Sequence, residues 1–349
     1  MVNASRQCPF GLKPEQPLNK RRLIICDTTL REGEQAPGCS LLAAEKLDIA
    51  ASLERLDVDV IEAGFAASSR SDFLAIQSIA RKIRKPVISS FCRAVQKDID
   101  AAAEALKEAH RARIHVTFGT SDTHLKYKFN ISQDQALERI EAALKYASRY
   151  SHDVQFTAED AGRTDRYFLL DVIQTAAQAG ATTVNLADTV GHLMPEEFAG
   201  LIRFLRENSP VLDHVLLSVH VHDDLGLALA STLAAAQAGV NQAECTINGI
   251  GDRAGICALQ EIVRVLKVCP EDTFSFDCGI RHELLPAVSR LVADYTALSR
   301  RNLSTVHVDK CFRGGILNKV RRMTQTDMTP GNVCPQEFKG RRRPLSLTR

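Results

Sequence analysis

The run Ser218-Val219-His220-Val221-His222-Asp223-Asp224 sets two imidazoles two residues apart and follows them with two carboxylates. Alternate side chains of an extended strand share a face, so Ser218, His220 and His222 point one way and Leu217, Val219 and Val221 the other. One histidine on such a face is usually a satisfied core residue, whereas two beside carboxylates are the donors of a metal site. A second run, Asp27-Thr28-Thr29-Leu30-Arg31-Glu32-Gly33-Glu34-Gln35, puts a cation, Arg31, next to a carboxylate able to bind metal, Glu32. Its plainer reading is a charged, solvated loop. A third, Asn248-Gly249-Ile250-Gly251-Asp252-Arg253-Ala254-Gly255, is rich in glycine. Gly249 and Gly251 let backbone N–H groups approach a phosphate or carboxylate, as substrate-binding positions. The spacing does not match a dinucleotide fingerprint, and the turn follows the last strand instead of the first. Mixed nitrogen and oxygen donors suit Mg²⁺, Mn²⁺ or Zn²⁺ without choosing among them.

Such groups need strands to carry them. Branched apolar runs at residues 23–28, 58–64, 86–92, 114–119, 154–160, 183–188, 215–222 and 243–249 read as strands. Amphipathic, alanine- and leucine-rich stretches at 43–56, 134–149, 167–179, 195–207 and 225–238 read as helices. Eight βα units predict an α/β fold, a (β/α)₈ TIM barrel. An open doubly wound sheet is the alternative. Asp27, Glu62, Glu159 with Asp160, Asp188, His220 with His222, and Asn248 stand at the carboxyl ends of six of the runs, and a barrel brings such ends to one face. Residues 1–20 read as a leader and 21–270 as the catalytic barrel. Residues 271–349 read as a truncated helical linker, with one or two helical stretches over 281–298, and a tail carrying Arg341-Arg342-Arg343.

Composition excludes several classes. The 349 residues are 45% hydrophobic and 25% charged, an ordinary globular balance. With 44 basic and 42 acidic residues the net charge is +2, which gives no case for nucleic acid or a membrane as partner. No run approaches the roughly 18 apolar residues of a membrane span, and the first residues lack the apolar core of a signal peptide, so a cytoplasmic location is expected. The ten cysteines are scattered, form no C-x-x-C pair and read as small reduced hydrophobes.

Seven ordered motifs carry a resemblance across residues 23 to about 268. They are D-T-T-L-R-E-G-E-Q (27–35), E-A-G-F-A-A-S-S (62–69), T-S-D-T-H-L (120–125), A-E-D-A-G-R-T-D (158–165), A-D-T-V-G (187–191), H-V-H-D-D-L-G (220–226) and T-I-N-G-I-G-D-R-A-G (246–255). The sequence resembles the acyl-CoA-condensing branch of the DRE-TIM metallolyase superfamily, and within it the 2-isopropylmalate synthases. The resemblance implies a transferase of leucine biosynthesis that condenses acetyl-CoA with a 2-oxo acid, 3-methyl-2-oxobutanoate first, in a Claisen reaction assisted by a divalent cation. It implies Glu32, His220 and His222 as metal ligands, Arg31 as stabiliser of the developing oxyanion, and Glu159 as the group that assists proton abstraction from the acetyl methyl. Thr189 would contact the substrate carboxylate, and a homodimer is implied.

Four departures stand out. Glu32 replaces the aspartate of most isopropylmalate synthases and is similar to the homocitrate synthases, so a homocitrate- or citramalate-type synthase is the alternative. Ile256 stands where the family asparagine helps bind the metal, and no H-S-S-G-I-H segment follows the barrel, with His307 the nearby substitute. The C-terminal leucine-sensing domain has no counterpart, so family-type feedback is not expected. A barrel that lost catalysis and serves in binding or regulation is a second class of reading. An iron oxygenase triad is a third, disfavoured because such sites use H-x-D spacing on all-β jelly rolls.

Overall fold

Valine, isoleucine, leucine and phenylalanine dominate the short runs, and their branched or bulky side chains suit a pleated, buried backbone. In the computed structural model, which describes residues 21–269 and 276–296, those runs are parallel strands. They are β2 (Ile24–Asp27), β3 (Val60–Phe65), β4 (Val87–Arg93), β5 (Ala112–Gly119), β6 (Asp153–Glu159), β7 (Thr183–Asp188), β8 (Leu216–Val221) and β9 (Gln242–Cys245), closed in that order with β9 pairing back to β2. The expected (β/α)₈ barrel is what forms, and the open sheet and the jelly roll are excluded.

Helices fill the crossovers: α1 (Ala43–Arg55), α2 (Arg70–Lys82), α3 (Gln96–Ala105), α4 (Gln133–Ala147), α5 (Arg166–Gln178), α6 (Pro195–Asn208), α7 (Ala228–Gln237) and α8 (Leu259–Val268). Their starts are written in the sequence. The Ser69 hydroxyl accepts from Asp72 N, the Ser132 hydroxyl from Gln135 N, and the Asp165 carboxylate from the N–H groups of Tyr167 and Phe168, which satisfies first-turn donors. Pro195 opens α6, where its missing N–H costs nothing.

Strand alternation divides the core. Ile25, Ile114, Val116, Val154, Phe156, Val184, Leu186, Leu217 and Val219 face outward into the apolar layer beneath the helices. Inside, a small apolar cluster of Ile24, Cys26, Val60, Val87 and Leu216 gives way to polar side chains. Arg113, fully buried, donates from Nε to Asp153 at 2.9 Å and from Nη1 to Gln155 at 3.0 Å and Gln242 at 2.9 Å. Removing one partner of a buried ion pair leaves a charge without its counter-charge. Asp153→Ala is therefore expected to lower stability by about 3 kcal/mol, read as the shift of a urea unfolding curve.

Two short elements complete the fold. Strand β1 (Arg21–Arg22) pairs in parallel with β10 (Phe276–Asp277), and Leu23 N–H donates to the Asp277 carbonyl, so this clasp lies where the strands begin, at the end opposite their carboxyl termini. Helix α9 (Leu285–Thr296) then lies along α1, with the Tyr295 hydroxyl donating to Asp48 at 3.0 Å. Among the described residues no helix is long and apolar enough to cross a membrane. The seven described cysteines are free, and four, Cys26, Cys92, Cys245 and Cys257, are buried. The leader, the basic tail and His307 lie outside the described residues.

The strand 183–188 is as expected, and most other boundaries move by one or two residues. The eighth strand is shorter than its apolar run. It ends at Cys245, because Asn248 takes φ 65° inside a 3₁₀ turn, Ile247–Gly249. The Asn248 side chain turns away from the barrel mouth to Gln260 and Ser289, so it braces α8 and α9 and is not a site residue.

Candidate metal centre

Strand β8 delivers His220 and, just past its end, His222 to the inner face. The turn after β2 delivers Glu32, whose N–H donates to the Thr28 carbonyl at 2.8 Å together with those of Arg31 and Gly33. One ligand atom of each of Glu32, His220 and His222 lies within 4.8 Å of the others, and the three residues expose only 2%, 4% and 6% of their surface. His222 Nε2 is 3.3 Å from Glu32 Oε1, near the roughly 3 Å that separates neighbouring donors about 2.1 Å from one cation. The His222 Nδ1 atom is buried and has no hydrogen-bond partner. Donor types, spacing and burial fit a divalent cation.

The electrostatics agree. Burial pushes the Glu32 carboxyl up, but Arg31 and the two imidazoles outweigh it and hold it well below the usual carboxylate range. Burial lowers His222 against the pull of Glu32, favouring the neutral imidazole that can donate a lone pair.

Outer partners fix each ligand. His220 Nδ1 contacts Glu244 Oε2 at 2.7 Å, which leaves Nε2 for the centre. Glu244 in turn accepts from Gln155 Nε2 at 2.5 Å, and Gln155 Oε1 accepts from Arg113. Glu32 accepts from Arg31 Nη1 at 2.5 Å and from Asp252 N–H at 3.0 Å. Glu62, at the inner face of β3, accepts from Arg31 Nε at 2.6 Å and Thr28 Oγ1 at 2.5 Å and contacts His115 Nδ1. Burial works against the Arg31 charge, and Glu62 and Glu32 more than restore it. Its guanidinium also lies over the Phe91 ring at 4.8 Å.

The remaining expected residues are less tightly gathered. Glu159 shares the inward register of Gln155 and Thr157, and its carboxylate accepts from Lys128 Nζ at 2.8 Å. That lysine sits on a π-helical turn, His124–Phe129, for which no local pattern is a signal. The Thr189 hydroxyl accepts from Asp160 N–H at 2.8 Å, leaving its proton for another acceptor. In the glycine turn, a Cβ on Gly251 would lie 3.3 Å from Glu32 Cγ and Oε1. Gly249 has φ 68°, which side chains avoid. The anion that the turn's Asp252 N–H reaches is Glu32 itself. Asp27 and Asp188 take the outward faces of their strands, with Asp188 turned to His192 and Leu193 N–H. They do not join the centre as their strand-end positions suggested.

Ile256 forms a backbone bridge with His222 and is buried beside it. Ile256→Asn is expected to strengthen cation binding about tenfold or more, the scale of one supporting contact. Calorimetric titration with Mn²⁺ checks it, and unchanged binding would show that this position does not reach the ion.

Sequence reasoning missed Glu244, His115, Gln155 and Arg253. The first three had a signal: polar residues at every second position of β5, β6 and β9, set against apolar ones facing the helices.

The class this defines is a closed parallel (β/α)₈ barrel whose carboxyl end gathers two buried histidines and a buried glutamate around a common point. The chain matches the HMGL-like family over residues 22–292 and belongs to it. It is 45% identical over 319 residues to the 2-isopropylmalate synthase of Aquifex aeolicus, covering 89% of this chain and 61% of that protein. It is 49% identical over 278 residues to that of Pyrococcus furiosus, covering 80% and 56%. The chain thus spans about three fifths of the length of these relatives. Among solved structures, the HMG-CoA lyase of Bacillus subtilis superposes with a TM-score of 0.68 at 16% identity, over 82% of this chain and 99% of that one. The carboxyl transferase domain of Rhizobium etli pyruvate carboxylase gives 0.61 at 19%, over 84% and 51%. Both share the fold.

Proposed function

We propose that the chain condenses acetyl-CoA with a 2-oxo acid, 3-methyl-2-oxobutanoate first, to give 2-isopropylmalate and CoA. The observation that carries this reading is the buried Glu32–His220–His222 group with Arg31 locked against it, and the names of the relatives support the substrate. A divalent cation held by these three residues would supply Lewis acidity to the keto oxygen and a template for the carboxylate. The chain's own groups do the rest. Glu159 takes a proton from the acetyl methyl group, with Lys128 holding its carboxylate in place. The enolate carbon bonds to the keto carbon, and Arg31 faces the oxyanion that forms. Thr189 donates its hydroxyl proton to the substrate carboxylate. Water then cleaves the thioester and CoA leaves as the thiol. The same reading makes residues 21–270 the catalytic unit, the protein cytoplasmic and the assembly a homodimer.

Ile256 beside His222 favours a second reading, a barrel that binds an oxo acid without turning it over. Thiol release with acetyl-CoA and a panel of 3-methyl-2-oxobutanoate, 2-oxoglutarate and pyruvate separates the two. Turnover is expected with the first acid. Turnover only with another acid would change the substrate, because a pocket discriminates by only about 1–3 kcal/mol per methylene. Binding without thiol release would favour the second reading.

A further inference from the structure

Arg253 holds a backbone conformation that side chains avoid, with φ 55°. Such strain persists where the surroundings over-determine it, and clusters at functional sites. Its buried guanidinium makes a two-pronged contact with Asp224, Nε to Oδ1 at 2.7 Å and Nη2 to Oδ2 at 2.6 Å. Nη2 also donates to the Thr189 carbonyl at 2.7 Å, and Nη1 to Asp252 at 3.2 Å. These partners lie on three loops. Thr189 follows β7, Asp224 follows β8 two residues beyond His222, and Asp252 follows β9. Asp252 N–H, one residue from the guanidinium's own backbone, is the donor that holds Glu32.

We propose that Arg253 is a positioning residue that fixes the ends of β7, β8 and β9 in one register, and so sets Glu32 against His220 and His222. A buried ion pair is weak evidence for stability, since its desolvation offsets its attraction. What this one supplies is geometry: five donors in a rigid plane reach three loops at once, which a lysine ammonium cannot copy. The inference rests on the reading of the three residues as a cation site.

The test is Mn²⁺ binding to the full chain, followed by loss of the free-ion electron paramagnetic resonance signal, with thermal melts alongside. Arg206 serves as the control, because it donates to the Gly239 carbonyl at 3.0 Å and 2.5 Å and to Asn241 at 3.2 Å, away from the centre. Arg253→Ala is expected to raise the Mn²⁺ dissociation constant about 10- to 100-fold, and Arg253→Lys about tenfold. Arg206→Ala is expected to lower the melting temperature and leave that constant unchanged. If Arg253→Ala does not fold, Arg253→Lys and Asp224→Asn give the reading. Wild-type affinity in the folded Arg253 variants, or an equal loss in Arg206→Ala, overturns the proposal. A wild-type chain that takes up no Mn²⁺ overturns the cation reading and this inference together. Binding by the wild type with no change in the variants overturns the inference alone.

Discussion

His220→Ala is expected to reduce thiol release by at least about 10³-fold, because it removes both a proposed ligand of the cation and the partner of a buried carboxylate. Glu244 contacts His220 at 2.7 Å; burial pushes its carboxyl up, but that imidazole and His115 outweigh burial and hold it below the usual carboxylate range. Losing the imidazole leaves the carboxylate with Gln155 alone on that side, at a cost of about 1–3 kcal/mol for an unsatisfied buried acceptor. Mn²⁺ titration and a melting curve should therefore change together with activity. If Mn²⁺ binding survives in the variant, the placement of His220 in the centre is wrong.

Glu159→Gln is expected to lower kcat by about 10²- to 10⁴-fold, the usual contribution of a general base, the role proposed for Glu159, while the KM for the oxo acid changes little. Glutamine keeps the shape and the contact with Lys128 but cannot take the methyl proton. The direct readout is exchange of acetyl-CoA methyl protons with deuterium from solvent, which should fall with kcat. Near-normal exchange and turnover would assign the base elsewhere.

The histidine pair was legible because a strand's period of two is insensitive to its exact ends: shifting β8 by a residue still leaves His220 and His222 on one face. The Arg31–Glu32 step was legible as a turn. The same reasoning misplaced Asp27 and Asp188, since position at a strand end does not say which face a side chain takes. Both share the outward register of Ile25 and Leu186. Asn248 was misread because the apolar run continues past Cys245, while the backbone has already turned left-handed. Arg253 was invisible for a different reason. Its meaning lies in a partner 29 positions away in sequence, and no local pattern announces such a distant pairing.

The β1–β10 clasp has a practical corollary for handling the protein. Arg21 and Arg22 stand exposed on it, and it fastens the far rim, so a surface tether or dye attached there would leave the mouth open to small molecules. Tyr127, exposed on the π-helical turn, would carry the opposite label. The two together would report distance along the barrel's axis, with neither label on the Glu32, His220 or His222 side chains.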